Sequence, residues 1–149
     1  DESAASTWRH VLIASVERPD EEGGPFLAAG THLEHGLDRM LTRSAQLAHL
    51  VAEVSDAISP SGTWRDELPA LVAGDFNDWG QRLSRMMAHM GLHEHGARTP
   101  TFPARLPLTQ LDHVYARGLK PVSTWVPRGR IWHQMSDHLP LVADFTWQD

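Results

Sequence analysis

Residues 68–74 (LPALVAG) restrict the possible folds of this chain more than any other part of the sequence. They form a compact apolar run between turn-forming residues, which is typical of a strand buried on both faces of its sheet. Such a strand needs covering layers, and therefore a core of some size. The 149 residues, of which 41% are hydrophobic, allow one domain with such a core.

The rest of the chain supplies further strands and two amphipathic helices. Apolar residues spaced three and four apart predict helices at 37–58, ending before 60–62, and at 82–90. Strands are predicted at 8–16, 26–33, 111–116, 122–126 and 139–147, the first two joined as a hairpin by a turn at 17–24. A stiff proline-rich loop occupies 99–108, and Gly118 and Pro121 form a later turn. This order indicates an α/β domain with a mixed β-sheet covered by helices.

The tetrapeptide Gly74-Asp75-Phe76-Asn77 follows the apolar strand directly. Side chains two apart in a strand point the same way, so Asp75 and Asn77 are predicted to project together from its C-terminal end. Open α/β sheets bind their ligands at that end, and a carboxylate beside an amide orients a water and accepts its proton. The alternative is an Asx-rich turn that caps the following helix.

Three further motifs place acids or histidines at predicted strands. Asp112 lies in LDHV, inside an apolar strand, and needs a partner if that strand is central. Asp137 and His138 lie in SDHLPL at the entry to the last strand, and a histidine there contacts a phosphate or relays a proton. His32 lies in GTHL at the end of the second strand. Alone, each motif is equally compatible with a polar turn, an edge charge or a structural histidine.

In this order the motifs resemble the endonuclease/exonuclease/phosphatase family, which includes deoxyribonuclease I, abasic-site endonucleases, sphingomyelinases and inositol-polyphosphate phosphatases. The series runs from THL through a helix with Arg43 and Gln46 to GDFN, a TFPA loop at 101–104, LDHV and SDHLPL. GDFN and SDHLPL are the most specific parts. The resemblance implies half of a four-layer α/β sandwich, and a metal-dependent hydrolase of phosphoester bonds, phosphodiesters above all.

The resemblance also implies a role for each site residue. Asp75 and Asn77 match the pair that positions and deprotonates the attacking water. Asp112 matches the acid that pairs with His138, which holds the scissile phosphate and supports charge that develops in the transition state. His32 resembles a further histidine that some members place near the phosphate.

A divalent cation is expected at this site. By resemblance, Asp137 and Asp75 match acids at the metal centre. Three converging carboxylates, with Asp112 as the third, repel one another unless a cation neutralises them. Mg²⁺ suits such a site because it takes one or two carboxylates and completes its shell with waters and substrate phosphate. Mn²⁺ is the alternative.

One part of the family pattern is missing. The family's domain is considerably longer, and its first half carries a metal-binding Glu in a motif like LQE, which Glu2, Glu17, Glu21 and Glu22 do not reproduce. Residues 1–149 are therefore expected to be the C-terminal half of such a domain. The isolated chain is expected to bind Mg²⁺ poorly and to be weakly active or inactive. Its uncovered apolar sheet face is expected to bind the missing N-terminal half or a second copy of the chain.

Charge and composition narrow the substrate only partly. The net charge of −6 disfavours nucleic acid, whose binding rests on Lys and Arg. Together with the Trp-rich loops at Trp79, Trp125 and Trp132, this charge slightly favours a lipid or small-molecule phosphoester as the substrate. A local basic patch would favour nucleic acid, and its candidates are Arg117, Lys120, Arg128 and Arg130.

The sequence leaves the compartment undetermined. No apolar run approaches the roughly 20 residues that span a bilayer, and no signal-peptide pattern is visible. The chain lacks an initiator Met, as expected of a processed, truncated or excised piece. The absence of Cys excludes disulfides and thiolate zinc sites.

Two alternatives come from other functional classes. The first is a non-catalytic fragment or interaction module that retains the scaffold; an LQE-like segment upstream in the same reading frame would argue against it. The second is a histidine-based metal site that draws on His32 and His35 or on His93 and His95. Such sites need three or four converging ligands.

Overall fold

The computed structural model describes residues 11–17, 25–33, 40–58, 68–79 and 82–148. The predicted segments 8–10, 18–24, 37–39 and 60–62 lie outside these ranges, as do Glu2, Glu21, Glu22 and His35. In chain order the elements are β1 (Val11–Val16), β2 (Phe26–His32), α1 (Met40–Ile58), β3 (Ala70–Asp75), α2 (Arg82–His89), β4 (His93–Glu94), β5 (Asp112–Arg117), β6 (Leu119–Trp125), α3 (Arg130–Met135) and β7 (Val142–Trp147).

The apolar run that the sequence singles out becomes β3, the middle strand of a five-stranded sheet with the order β1-β2-β3-β5-β4. β2 and β3 are parallel, whereas the other neighbouring strands are antiparallel. α1 lies in the connection between β2 and β3, as the crossover between parallel strands requires. β6 and β7 form a separate antiparallel pair. The predicted α/β class, with a mixed sheet and helices, is confirmed.

One apolar core joins the two longer helices to this sheet. α1 contributes Leu50 and Val54, α2 contributes Leu83 and Met87, and each of these side chains is at most 2% exposed. Tyr115 of β5 lies in the same cluster and is fully buried. Burying one such side chain stabilises the fold by about 1.5–3 kcal/mol. The cluster therefore holds β3 and β5 in place, and these two strands carry Asp75 and Asp112.

The turn predicted between the strands at 111–116 and 122–126 is only partly correct. Gly118 makes the turn with a φ of 66°, a conformation that favours glycine. Pro121, predicted to lie in the turn, is instead inside β6, beside a register shift between Pro121 and Ser123. Proline has no N–H to give to a ladder, so the pairing with β7 is interrupted at that point.

Two short elements are absent from the sequence prediction. His93 and Glu94, which lie outside every predicted element, form β4 and pair with β5. Two residues are too few to show an alternating pattern. α3 buries none of its residues, so no apolar stripe marks it in the sequence. None of the helices in the described ranges is long and apolar enough to cross a membrane.

Gly74 lets β2 and β3 approach closely at the strand end that carries Asp75. A Cβ atom on Gly74 would lie 1.9 Å from the carbonyl oxygen of Thr31, and the φ of Gly74 is 157°. We expect Gly74→Ala to lower the free energy of unfolding by about 3 kcal/mol, because the strands must separate to admit the methyl group.

Urea denaturation measures this effect, and Gly30→Ala is the matched control. A Cβ on Gly30 would meet only the Ala73 carbonyl oxygen, at 3.8 Å. This control should change the stability by less than about 1 kcal/mol. Equal shifts in the two variants would show that the close approach at Gly74 is not what the glycine provides.

Candidate active site

The ends of three strands bring the sequence motifs to one edge of the five-stranded sheet. The parallel register of β2 and β3 sets His32 beside Asp75, and the antiparallel register of β3 and β5 sets Asp75 opposite Asp112. The loop before β7 adds Asp137 and His138. All of these side chains line one pocket of about 890 Å³. The predicted convergence of distant acids with the SDH histidine is therefore observed.

Asp112 and His138 form the tightest contact of the pocket. His138 Nδ1 lies 2.7 Å from Asp112 Oδ2. An ionised carboxylate only accepts hydrogen bonds, so Nδ1 is the donor. Nε2, the other ring nitrogen, then faces Asp75, whose Oδ2 lies 3.7 Å away. This pairing orients the imidazole so that one nitrogen is anchored and the other is presented to the pocket.

Burial and the neighbouring acids act in opposite directions on His138. Burial lowers the pKa of His138, whereas the hydrogen bond that it donates to Asp112 and the charges of Asp112, Asp75 and Asp137 raise it. The acids outweigh burial, and the pKa of His138 lies above its ordinary value. The site therefore favours the imidazolium, a form suited to an anionic ligand.

Asp75 sits between two histidines. Its Oδ2 lies 3.4 Å from His32 Nε2, and its Oδ1 accepts the backbone N–H of Asn77 at 3.0 Å. Burial is the largest influence and raises the pKa of Asp75 above its ordinary value. The charge of Asp112 raises it further, while the Asn77 N–H and the two histidines act in the opposite direction.

Asn77 reaches the pocket by a different route from the one predicted. β3 ends at Asp75, and Asn77 follows it with a φ of 47°, so the two residues are not a same-face pair within a strand. Asparagine tolerates this left-handed conformation better than most residues. Its Nδ2 donates to the Leu33 carbonyl oxygen at 2.9 Å, which fixes the amide beside the pocket.

The alternative interpretation of the tetrapeptide at 74–77, an Asx turn that caps the following helix, is partly correct. It holds together with the placement of Asp75 and Asn77 at the pocket. Asp75 accepts the Asn77 N–H two residues on, as an Asx turn does. The cap of α2, however, comes from Asp78, whose Oδ2 accepts the Leu83 N–H at 2.9 Å. Capping is therefore performed by the next acid along, and Asp75 and Asn77 still line the pocket.

The TFPA loop supports the site in a way that local sequence patterns do not reveal. The buried Thr101 hydroxyl donates to Asp112 Oδ2 at 2.5 Å. The Phe102 ring lies 4.9 Å from the His138 ring, centroid to centroid. Backbone bonds from Ala104 N to Asp137 O (2.7 Å) and from Leu139 N to Thr101 O (2.8 Å) tie this loop to the SDH segment. The order of motifs, which includes TFPA, is the sequence signal that points to this loop.

Asp75, Asp112 and His138 are the described residues whose donor atoms are close enough together for one metal ion. One ligand atom from each lies within 4.8 Å of the others. Asp137 lines the same pocket but is exposed and not a member of this group. Two carboxylates this close favour a cation between them. The oxygen-rich donor set fits Mg²⁺ or Mn²⁺ better than a soft metal.

The histidine-based alternative gains no support from the described residues. Neither His93 nor His95 belongs to a group of three potential ligands there. His95 instead packs its ring edge-on against Phe145, with centroids 6.4 Å apart. His113, the neighbour of Asp112, points to the other face of β5, where its Nδ1 lies 2.7 Å from Glu94 Oε1.

One candidate residue of the predicted basic patch, Arg117, is bound by the protein's own backbone. The Arg117 guanidinium donates to the carbonyl oxygens of Met90 (3.1 Å) and Leu68 (2.8 Å), so it serves the fold. Arg128 and Arg130 are exposed before and at the start of α3.

Comparison with known proteins places these observations in a family. The protein-family model described as "Endonuclease/Exonuclease/phosphatase family" matches residues 5–138. The uncharacterized protein YbhP of Escherichia coli (strain K12) is 38% identical over 108 residues, which are 68% of this chain and 40% of that protein. A UPF0294 protein of Vibrio cholerae is 38% identical over 84 residues, which are 52% of this chain and 27% of that protein. The chain thus spans well under half the length of these relatives.

Solved structures show the same fold at lower sequence identity. A functionally unknown conserved protein from Enterococcus faecalis V583 aligns with a TM-score of 0.71 at 23% identity, covering 93% of this chain and 56% of that one. The human Nocturnin catalytic domain with bound sulfate gives 0.69 at 22%, covering 94% and 53%. Truncated Caenorhabditis elegans TDP2 gives 0.71 at 19%, covering 97% and 62%.

Proposed function

Because this chain belongs to the endonuclease/exonuclease/phosphatase family, we propose that it hydrolyses phosphoester bonds, phosphodiesters above all, by direct attack of water. The observation that carries the proposal is the Asp112–His138 pair, which faces Asp75 across one pocket. Hydrolysis of this kind needs a group that takes the proton of the water and a group that holds the phosphate. The pocket offers a carboxylate for the first and an imidazole for the second.

In the proposed reaction, Asp75 and Asn77 orient a water molecule toward the phosphorus atom. Asp75 accepts the proton as the water oxygen bonds to phosphorus, and the bond to the leaving oxygen breaks. His138 donates a hydrogen bond from Nε2 to a phosphoryl oxygen, while Asp112 keeps its ring oriented. His32, beside Asp75, contributes a second imidazole near the phosphate. General acid–base groups of this kind accelerate a reaction by about 10²- to 10⁴-fold.

The family is generally metal-dependent, and the acid-rich pocket fits a hard divalent cation. By the family resemblance we propose that Asp75 and Asp137 hold Mg²⁺, or Mn²⁺ in its place; of these two acids, Asp75 belongs to the described group of three close donors. When bound, such an ion polarises the phosphoryl oxygen and stabilises charge on the leaving oxygen.

We further propose that residues 1–149 are the C-terminal half of a longer catalytic domain. The chain covers 40% of the YbhP length, so most of that relative lies outside the match. The missing portion would supply the remaining metal carboxylate. The rival proposal, a non-catalytic module that keeps the scaffold, predicts no activity in either form of the chain.

The isolated chain should bind Mg²⁺ weakly. Mg²⁺ sites rarely hold without enough carboxylate or substrate oxygen to replace its waters. Isothermal calorimetry should show shallow, non-saturating binding that Asp75→Asn reduces further. Asp144→Asn, at an exposed acid of β7 outside the pocket, should leave it unchanged. A tight one-to-one isotherm with the isolated chain would contradict the missing-ligand proposal.

Thr101 is proposed as a positioning residue that acts through Asp112. Thr101→Val keeps the side-chain shape but removes the hydroxyl that donates to Asp112 Oδ2. A hydrogen bond to a charged group is worth about 1.5–3 kcal/mol, and in the chain joined to its upstream half partial loss should lower kcat about tenfold with little change in KM. Thr101→Ser should restore the rate, since it returns the donor. If Val and Ser variants are equally slow, packing rather than the hydrogen bond is what Thr101 contributes.

The function itself is tested by a screen on bis-p-nitrophenyl phosphate and DNA. The chain is assayed with and without its upstream half, in Mg²⁺, in Mn²⁺ and in a chelator. We expect metal-dependent release of p-nitrophenol from the longer form and little or none from the chain alone. No release from either form, with any metal, would favour the non-catalytic module.

A further inference from the structure

A second pocket adjoins the proposed phosphate site. It has a volume of about 650 Å³ and shares Trp79 with the first pocket. Trp79 is 57% exposed, an unusual degree for such a large aromatic side chain. A substrate held at His138 can therefore extend past the Trp79 ring into the second pocket.

Two arginines line this second pocket. Arg85 projects from α2, and Arg98 lies in the segment after β4. Both are exposed, and among the residues that the structure describes neither forms an ion pair. A guanidinium group offers a planar set of N–H donors that matches the oxygens of a phosphate.

The two acids of the pocket are already engaged by the protein. Asp78 Oδ2 accepts the Leu83 N–H at 2.9 Å. Glu94 Oε1 lies 2.7 Å from Gln110 Nε2 and 2.7 Å from His113 Nδ1. These bonds occupy acceptor oxygens of the two acids, whereas neither arginine donates a hydrogen bond to the residues that the structure describes. The pocket is therefore suited to an anionic group.

We propose that Arg85 and Arg98 bind a second phosphate group of the substrate, next to the one that is hydrolysed, with Trp79 contacting the group that carries both phosphates. This inference rests on the proposed function, which identifies the first pocket as the site of the scissile phosphate. The substrate would carry two phosphate groups, attached either to a nucleoside or to a polyol such as inositol. An aromatic base stacks on an exposed Trp, whereas a polyol ring has no π-face to stack.

Isothermal calorimetry on the chain tests the proposal with three probes: thymidine 3′,5′-bisphosphate, inositol 1,4-bisphosphate and thymidine 5′-monophosphate. The double variant Arg85→Gln/Arg98→Gln should bind at least one bisphosphate about tenfold more weakly, since tenfold corresponds to roughly 1.4 kcal/mol. Its loss of affinity for the monophosphate should be smaller. Arg128→Gln, at an exposed arginine that lines neither pocket, should match the wild type with all probes.

The remaining outcomes separate the two phosphate sources and the two proposals. Loss of affinity in Trp79→Ala for the thymidine bisphosphate alone identifies the nucleotide as the source. A selective loss of bisphosphate affinity in a protein that hydrolyses no phosphodiester would leave the pocket assignment standing and overturn the proposed function. Equal bisphosphate affinity in the double variant and the wild type, or no bisphosphate binding at all, would overturn the second-phosphate pocket.

Discussion

His138→Gln, introduced into the chain joined to its upstream half, should slow hydrolysis of bis-p-nitrophenyl phosphate by about 10²- to 10⁴-fold. Glutamine keeps a polar group near the Asp112 carboxylate but cannot present a charged imidazole nitrogen to the pocket. Because His138 Nδ1 lies 2.7 Å from Asp112 Oδ2, we expect the two residues to act as one unit. Initial rates over a range of substrate concentrations measure the effect.

A double-mutant cycle with Asp112→Asn makes this prediction sharper. Residues that act as a unit are strongly non-additive, so the double variant should be little slower than either single one. His49→Gln is the matched control, because His49 is exposed on α1 and pairs with Glu53 outside the pocket. Additive losses would mean that Asp112 and His138 contribute separately, and a His138→Gln rate near that of the wild type would remove His138 from the mechanism.

The isolated chain should self-associate. The N-terminal half of the proposed longer domain should replace the contacts between copies. β6 and β7 pair only with each other among the described strands, and an isolated two-stranded sheet is marginally stable in water. Val122 and Trp125 of β6 are 62% and 48% exposed, and Leu12 of β1 is 74% exposed. Apolar side chains on strands with open edges favour association.

Light scattering during gel filtration measures this second effect. The chain alone should show a mass above that of one copy, and Val122→Lys/Trp125→Lys should move it toward the monomer. Lys120→Gln, at an exposed position of the same strand, should not. Mixing in the N-terminal half should give a one-to-one complex and raise the hydrolysis rate from near background. The half-domain proposal would be contradicted by a monodisperse monomer that neither forms a complex with the N-terminal half nor hydrolyses substrate faster in its presence.

Much of the site could be predicted because its residues lie where strands end. The apolar run at 68–74 identifies β3, and the position after it identifies the Asp75 edge. The ordered motifs also indicate that Asp112 and His138 belong to the same pocket. What they do not encode is the register: Asp112 faces Asp75 only because β5 runs antiparallel beside β3. That pairing depends on tertiary packing, not on local pattern.

Other features of the structure cannot be predicted from the sequence, for physical reasons. The Thr101 hydrogen bond joins a loop residue to a strand residue, and any loop threonine has the same local signature. Alternation in sequence predicts Asn77 as a strand residue, but it does not show where a strand stops, and Asn77 is left-handed. Propensity predicts a turn at Pro121, whereas a register shift accommodates this residue inside β6.

The most direct measurement is hydrolysis of bis-p-nitrophenyl phosphate in ¹⁸O-labelled water by the chain joined to its N-terminal half, with the wild type and Asp75→Asn side by side. We predict ¹⁸O in the p-nitrophenyl phosphate product and none in the p-nitrophenol, with the variant slower by about 10²-fold or more. Label in the p-nitrophenol would mean that water does not attack phosphorus. Equal rates in the two proteins would mean that the Asp75–His138 pocket is not where the reaction occurs.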